Sequence, residues 1–186
     1  LTLTTQEEIN EFANTYPDCA KIWGDLVIRE STAGAVKDLS PLISITEIEG
    51  SLSIEWTKEL NNLQGLENLT SIGSLRLYRN TVLTDISALQ KVTSIEGDLS
   101  IEYNNLTDLS GLSGLSSLGG NIRILGNDEL LNVTGLSNIN AVDFVDIKYN
   151  DQLQNLNGLN NLTSTGSISI EFNNALTDLS GLDQLS

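Results

Sequence analysis

Histidine and methionine are absent from this 186-residue chain, which carries one cysteine, Cys19, and two prolines. Without an imidazole there is nothing to activate Cys19 as a nucleophile, and no Ser–His pair is available. One cysteine forms no intrachain disulfide, and it says little about compartment because bacterial surface proteins can carry none. Apolar runs are only a few residues long, so no stretch reads as a membrane-spanning helix. Cations are scarce as well. Nine Lys+Arg against 25 Asp+Glu give a net charge of −16, which repels phosphate backbones and anionic lipid and argues against nucleic acid or direct membrane insertion. Oxygen-rich loops such as Asn127-Asp128-Glu129 and Asn150-Asp151 lack the spacing of an EF-hand or a nonapeptide calcium repeat, so no metal or cofactor is expected. The chain starts at Leu1 and reads as a processed or excised piece from which any signal peptide has gone.

What is present is repetition. From Ser94 the sequence runs SIEGDLSIEYNNLTDLSGLSGLSSL. Around Leu99 and Ile101 apolar and polar residues alternate, the signature of a strand with one buried face. From Leu106 the period becomes three, through Leu109, Leu112, Leu115 and Leu118, which suits a tight 3₁₀-like or extended arc rather than an α-helix. The unit recurs seven times. Its first inward strand positions are Leu26, Leu52, Leu75, Leu99, Ile122, Val145 and Ile168, at spacings of 26, 23, 24, 23, 23 and 23 residues. No such unit buries its inner face alone, so the units must stack. Glycines recur in the arc at Gly65, Gly111, Gly135, Gly158 and Gly181, and the expected reason is tight turning.

Residues 1–20 differ in kind. Thr4 and Thr5 precede Glu7 and Glu8, a capping box in either register. Ile9, Phe12, Ala13 and Tyr16 then fall on one helical face before Pro17. A helix over residues 5–16 is predicted to cover the open core of the first unit, with residues 21–186 forming the repeats of one structural domain. In the last five units an asparagine follows the strand: Asn80, Asn104, Asn127, Asn150 and Asn173; Ser31 and Thr57 stand there in the first two. An inward Asn supplies donors and an acceptor to backbone groups left unpaired where each coil bends, so this ladder is read as structural.

The pattern I-x-G-x-L-x-I-x-x-N followed by L-x-x-L-x-x-L resembles a leucine-rich repeat, and more narrowly the receptor L-domain type. Its clearest forms are Ile48-Glu49-Gly50-Ser51-Leu52-Ser53-Ile54 and Ile95-Glu96-Gly97-Asp98-Leu99-Ser100-Ile101. The opening Thr-Gln-Glu-Glu, with Cys19 and the Gly-Asp-Leu-Val-Ile strand, is similar to Bacteroidetes-type bacterial surface proteins. The resemblance implies a non-catalytic binding module at a cell surface or secreted, outer-membrane-associated if bacterial. It does not carry over hormone-receptor function, because the receptor lobes' disulfides are missing. The expected fold is an α/β repeat solenoid: a right-handed leucine-rich coil with one parallel sheet of about seven strands, 3₁₀ or irregular convex arcs, and an N-terminal capping helix.

A ligand, whether protein or glycan, would lie on the sheet face. The outward columns bring together Glu55, Trp56, Arg76, Tyr78, Arg79, Glu102, Tyr103, Arg123, Lys148, Tyr149 and Phe172, the candidate binding residues. The 28 outward positions hold five cations and seven acids, a net of −2, leaving four cations and eighteen acids, a net of −14, for the other 158 residues. Arg and aromatics are the residue types that anchor interfaces. Two structural readings compete: the cations relieve repulsion between stacked acid rungs, and the aromatic column packs at the rim of the core where each strand bends. Glu55 and Glu102 lie two rungs apart, about 9.6 Å, near the separation of an inverting glycosidase pair, but a smooth face offers no pocket to raise one pKa, and no enzyme is expected. Four Asn-x-Thr sequons, at Asn68, Asn105, Asn132 and Asn161, arise from the repeat itself. The arc of Leu176, Leu179, Leu182 and Leu185 is expected to be covered, by further repeats or by a partner. The alternative function is therefore a structural subunit of a bacterial outer-membrane or envelope assembly, docking through that end.

Overall fold

The computed structural model describes residues 1–31 and 35–186. In chain order its elements are β1 (Thr2–Leu3), α1 (Gln6–Thr15), β2 (Lys21–Ile22), β3 (Leu26–Arg29), β4 (Glu47–Glu55), β5 (Ser71–Tyr78), β6 (Ser94–Ile95), β7 (Leu99–Glu102), β8 (Ser117–Leu118), β9 (Ile122–Leu125), β10 (Ala141–Lys148) and β11 (Ser164–Glu171). Eight strands form the main path, β1-β3-β4-β5-β7-β9-β10-β11, and the short β2, β6 and β8 join beside it. Pairing between the described strands is parallel throughout. The seven repeat strands meet in register at Leu26, Leu52, Leu75, Leu99, Ile122, Val145 and Ile168, the positions the spacing predicts. An irregularity between Ile48 and Ser51 absorbs a register shift within β4. On the main path one strand exceeds the expected seven, besides the two-residue β2, β6 and β8 alongside: β1 pairs ahead of β3, Thr2 with Val27 and Leu3 with Ile28. Two residues are too few to display a period, so the sequence pattern missed it.

Helix α1 starts where the capping residues place it. Thr5 Oγ1 accepts the Glu8 N–H. The Glu8 carboxylate accepts the backbone N–H and the hydroxyl of Thr4, which holds its carboxyl below the usual glutamate range. Ile9 is fully buried. Tyr16, expected on the same buried face, is 57% exposed, with its ring tilted against Phe12 at 5.4 Å. The reason is local: Tyr16 is the C-cap, with φ −129°, so its side chain leaves the helical face.

One apolar cluster runs from Leu3 to Leu162, strand residues meeting the leucines of the arcs. Single 3₁₀ turns form at Ser40–Leu42, Ser87–Leu89, Ser110–Leu112 and Thr134–Leu136. Each is preceded by an Asp or Asn whose side chain accepts the first N–H of the turn: Asp38 to Ser40, Asp85 to Ser87, Asp108 to Ser110 and Asn132 to Thr134. This is why a three-residue period curls instead of extending.

The arc glycines need a corrected explanation. Gly65, Gly158 and Gly181 do have φ of +109°, +125° and +107°, but Gly111 and Gly135 do not. What all five share is a neighbour: a Cβ would run into the backbone carbonyl of Leu39, Ile86, Leu109, Val133 or Leu156 in the preceding coil. Close approach of coil to coil, more than turning, excludes a side chain there.

The asparagines are buried between coils. Asn104 Nδ2 donates to Leu77 O in the coil before and to Glu102 O in its own bend, while its Oδ1 accepts the Asn80 N–H at 3.2 Å. The same pattern links Asn104 to Asn127, Asn127 to Asn150, and Asn150 to Asn173. At the near end Thr57 joins, its N–H and hydroxyl both donating to Asn80 Oδ1. Exposure rises in the last coil. Ile168 is 36% and Leu179 58% exposed, whereas equivalent residues of the inner coils are at or near zero.

Candidate binding face

The residue before each ladder asparagine, and before Thr57 at the near end, has an unusual backbone. Trp56, Arg79, Tyr103, Tyr149 and Phe172 all have φ between +56° and +59°, and Gly126, their counterpart in the sixth strand of the main path, has φ +62°. This left-handed region costs a side-chain-bearing residue roughly 1–2 kcal/mol, and bulky residues enter it rarely. The geometry follows from the ladder. The strand hydrogen bonds continue through this residue, Trp56 N–H to Tyr78 O, Arg79 N–H to Glu102 O, Tyr103 N–H to Leu125 O and Tyr149 N–H to Glu171 O, and the chain must then swing so that the asparagine points inward. The backbone at these sites favours glycine. Five of the six positions hold a large side chain instead.

Those side chains are not core. Trp56 is 48%, Tyr103 41%, Tyr149 50% and Phe172 59% exposed, and Arg79 is exposed too. The expectation that the column packs at the core rim is therefore corrected: the left-handed turn directs it outward. The side chains form two groups, separated at Gly126. In the first, Tyr78 stands edge-on to Trp56 at 5.5 Å and to Tyr103 at 6.0 Å. The Arg79 guanidinium lies 4.8 Å from the Trp56 ring centre, 5.1 Å from Tyr103 and 5.5 Å from Tyr78, and its Nε donates to the Tyr78 hydroxyl. In the second, Tyr149 and Phe172 stack face to face at 4.9 Å, close to the spacing of adjacent strands. A Cβ on Gly126 would collide with the Tyr103 ring, so glycine here makes room for Tyr103.

The middle of the sheet is organised differently, by compensation of charge. Arg76 pairs with Glu55 across one rung, and Lys148 with Glu171 at 3.0 Å and with Asp146 at 3.2 Å. Arg123 lies 3.7 Å from Asp146. The carboxylate of Glu171, bonded first by the Ser169 hydroxyl and then by Lys148, lies below the usual glutamate range; Lys148, bonded by Glu171 and then Asp146, lies above the usual lysine range. A Ser-Ile-Glu pattern recurs in which the serine donates to the glutamate two residues on: Ser53 to Glu55, Ser100 to Glu102 and Ser169 to Glu171. Period-two spacing places both on one face, a signal present in the sequence but not read from it. Of the eleven candidate residues, Glu55, Arg76, Arg123 and Lys148 are thus engaged with charges of neighbouring strands. Glu102 is tied to its serine, and Trp56, Tyr78, Arg79, Tyr103, Tyr149 and Phe172 gather at the edge where the strands end.

Over the middle and the starts of the strands lies an open depression of about 610 Å³ bordered by Arg76, Tyr78, Asp98, Glu102 and Arg123. It is shallow and polar, with Asp98 Oδ1 accepting both the backbone and side-chain N–H of Asn121. A further exposed aromatic, Trp23, was not singled out by the columns; it is 76% exposed with Lys21 Nζ 4.1 Å from its ring centre. Lys21 itself pairs with Glu49 and Glu47, which raises its pKa. Among the described residues no group of three or more His, Cys, Asp or Glu is placed to hold a metal ion, and no helix is long and apolar enough to cross a membrane.

A search of curated proteins finds no match. Over residues 18–84, a span that takes in β2 to β5, the chain matches the family model of the receptor L domain.

Proposed function

We propose that the chain is an extracellular, non-catalytic binding module that holds a protein ligand across the sheet face, with the left-handed row as its principal contact. The observation that carries this reading is the row itself: five large, exposed side chains at positions where the backbone favours glycine. Strained residues that the fold does not require point to a selected role, and Trp, Tyr and Arg are the types that dominate binding energy. The match of residues 18–84 to the receptor L domain supports the same reading. Residues 1–20 and 21–186 are taken as one domain, a right-handed coil covered at its first end by α1; parallel crossovers are right-handed in about 98% of cases, and Leu3 and Ile9 are buried there. The surface setting extends to Bacteroidetes-type cell surfaces through the resemblance of the opening segment.

The test is differential capture from extracellular extract with the wild-type chain and with an Arg79→Ala, Tyr103→Ala, Tyr149→Ala variant. Loss of the retained partner with an unchanged melting temperature supports the reading; equal retention by both proteins would overturn it. The alternative reading is a subunit that docks end-on into an envelope assembly through the last coil, where Leu179 lies on the surface. Light scattering separates the two. A stable monomer of about the chain mass of 20.1 kDa supports a free-standing module, and concentration-dependent association abolished by Leu179→Lys supports docking.

A further inference from the structure

Resting on the reading of the row as the ligand's contact, we infer that Trp56, Arg79 and Tyr103 form a receptor for a carboxylate, presented by an Asp or Glu of a peptide segment flanked by apolar residues. Four cations lie on the sheet face from β5 onward, and three of them, Arg76, Arg123 and Lys148, have carboxylate neighbours. Arg79 has none within ion-pair distance among the described residues. Its neighbours are instead three aromatic rings and the Tyr78 hydroxyl, which takes Nε. Rings around the guanidinium leave its terminal N–H groups as the donors available to a partner, and that planar fork matches a carboxylate in bidentate geometry. A ligand seated on Trp56 and Tyr103 would exclude water and strengthen the pair.

The same contacts favour a peptide over a sugar. Stacking on a sugar needs a free ring face. Here Arg79 takes up one face each of Trp56 and Tyr103, and Tyr149 and Phe172 each give one face to the other, which leaves fewer ring faces for a sugar. Apolar side chains can instead pack against the exposed ring edges. Charge also selects the place. The chain as a whole, at −16, repels an acidic segment, but fields beyond about 8 Å are screened at physiological salt, so an acid is accommodated where a local cation lacks its own partner.

The probe is a random twelve-residue peptide library displayed against the immobilised full chain, with a glycan array run in parallel. The expected result is enrichment of Asp or Glu between apolar residues, with selected peptides binding at least tenfold more weakly to Arg79→Gln and several-fold more weakly to Arg79→Lys, which keeps the charge but not the fork. Unchanged melting of both variants excludes a folding artefact. Enrichment of lysine-rich peptides, as net charge alone dictates, would overturn the inference. So would acidic peptides indifferent to Arg79→Gln, row-dependent binding confined to uronic-acid oligosaccharides, or no enrichment at all. Peptides without an acidic consensus that still require Trp56 and Tyr103 would overturn the carboxylate receptor and leave the row as a binding site. Selected peptides indifferent to every substitution in the row would overturn both.

Discussion

Two columns that are neighbours in sequence stand at opposite ends of the molecule's logic. Asn80, Asn104, Asn127, Asn150 and Asn173 are buried and bonded to the coils on either side or, at the end, to one. The residues one step before them are exposed and held in a conformation that disfavours side chains. In the first column the residue type is what the backbone requires. In the second the backbone requires only a left-handed turn, and the residue type is free to serve something else.

The sharpest way to break this contrast is within the buried column. Asn127→Ala leaves the Asn104 N–H and the Ile101 carbonyl without their side-chain partners. At 1–3 kcal/mol for each unsatisfied buried group, a loss of roughly 2–6 kcal/mol is expected in urea unfolding. Gly135→Ala tests the coil spacing; its Cβ meets the Leu109 carbonyl, and overpacking of this kind costs about 1–3 kcal/mol. In the exposed column the expected effect is far smaller. Phe172→Gly relieves a φ of +56°, worth about 1–2 kcal/mol, and loses a ring stack worth about 0.5–1.5 kcal/mol, so the unfolding midpoint should scarcely move while ligand binding falls.

The smallest effect is on the paired charges in the middle of the sheet, and pH resolves it. Glu171 titrates below its ordinary range, so its contribution is present above the unfolded-state pKa of about 4.3 and is lost as pH falls through the lower folded value. Lys148 titrates above its range, so its contribution is present below about 10.4 and is lost as pH rises through the raised folded value. Lys148→Gln should therefore lower stability slightly between those two pH values, where both contributions are present, and change little at the extremes, where wild type has already lost them, measured by denaturation midpoints across pH.

Much of the fold was legible because its signals repeat. A period of two fixed the inward strand positions, and seven copies at nearly constant spacing fixed which residues meet across strands. Two single-copy features were not legible: β1 has two residues, and Tyr16 leaves its face at a helix end. Glycine was read for its freedom, whereas at Gly111 and Gly135 it acts by its lack of volume, a contact between residues in adjacent coils. For the candidate site, the columns named the right neighbours but not their roles. Arg76 and Arg79 look equivalent in sequence, yet period two sends Arg76 toward Glu55 on the sheet, and the left-handed turn sends Arg79 among the rings. Backbone handedness at a non-glycine residue leaves no mark in residue type, so it became visible only in three dimensions.

The central claim is that the left-handed row serves binding and not folding. The most direct measurement is the unfolding free energy of a chain in which Trp56, Arg79, Tyr103, Tyr149 and Phe172 are all replaced by glycine. Relief of five left-handed side chains, about 1–2 kcal/mol each, should offset the lost ring and cation–π contacts, about 0.5–1.5 kcal/mol each. The account predicts a value within about 1–2 kcal/mol of wild type. A loss of roughly 5 kcal/mol or more, on the scale of a whole domain's stability, would contradict it and make the row part of the fold.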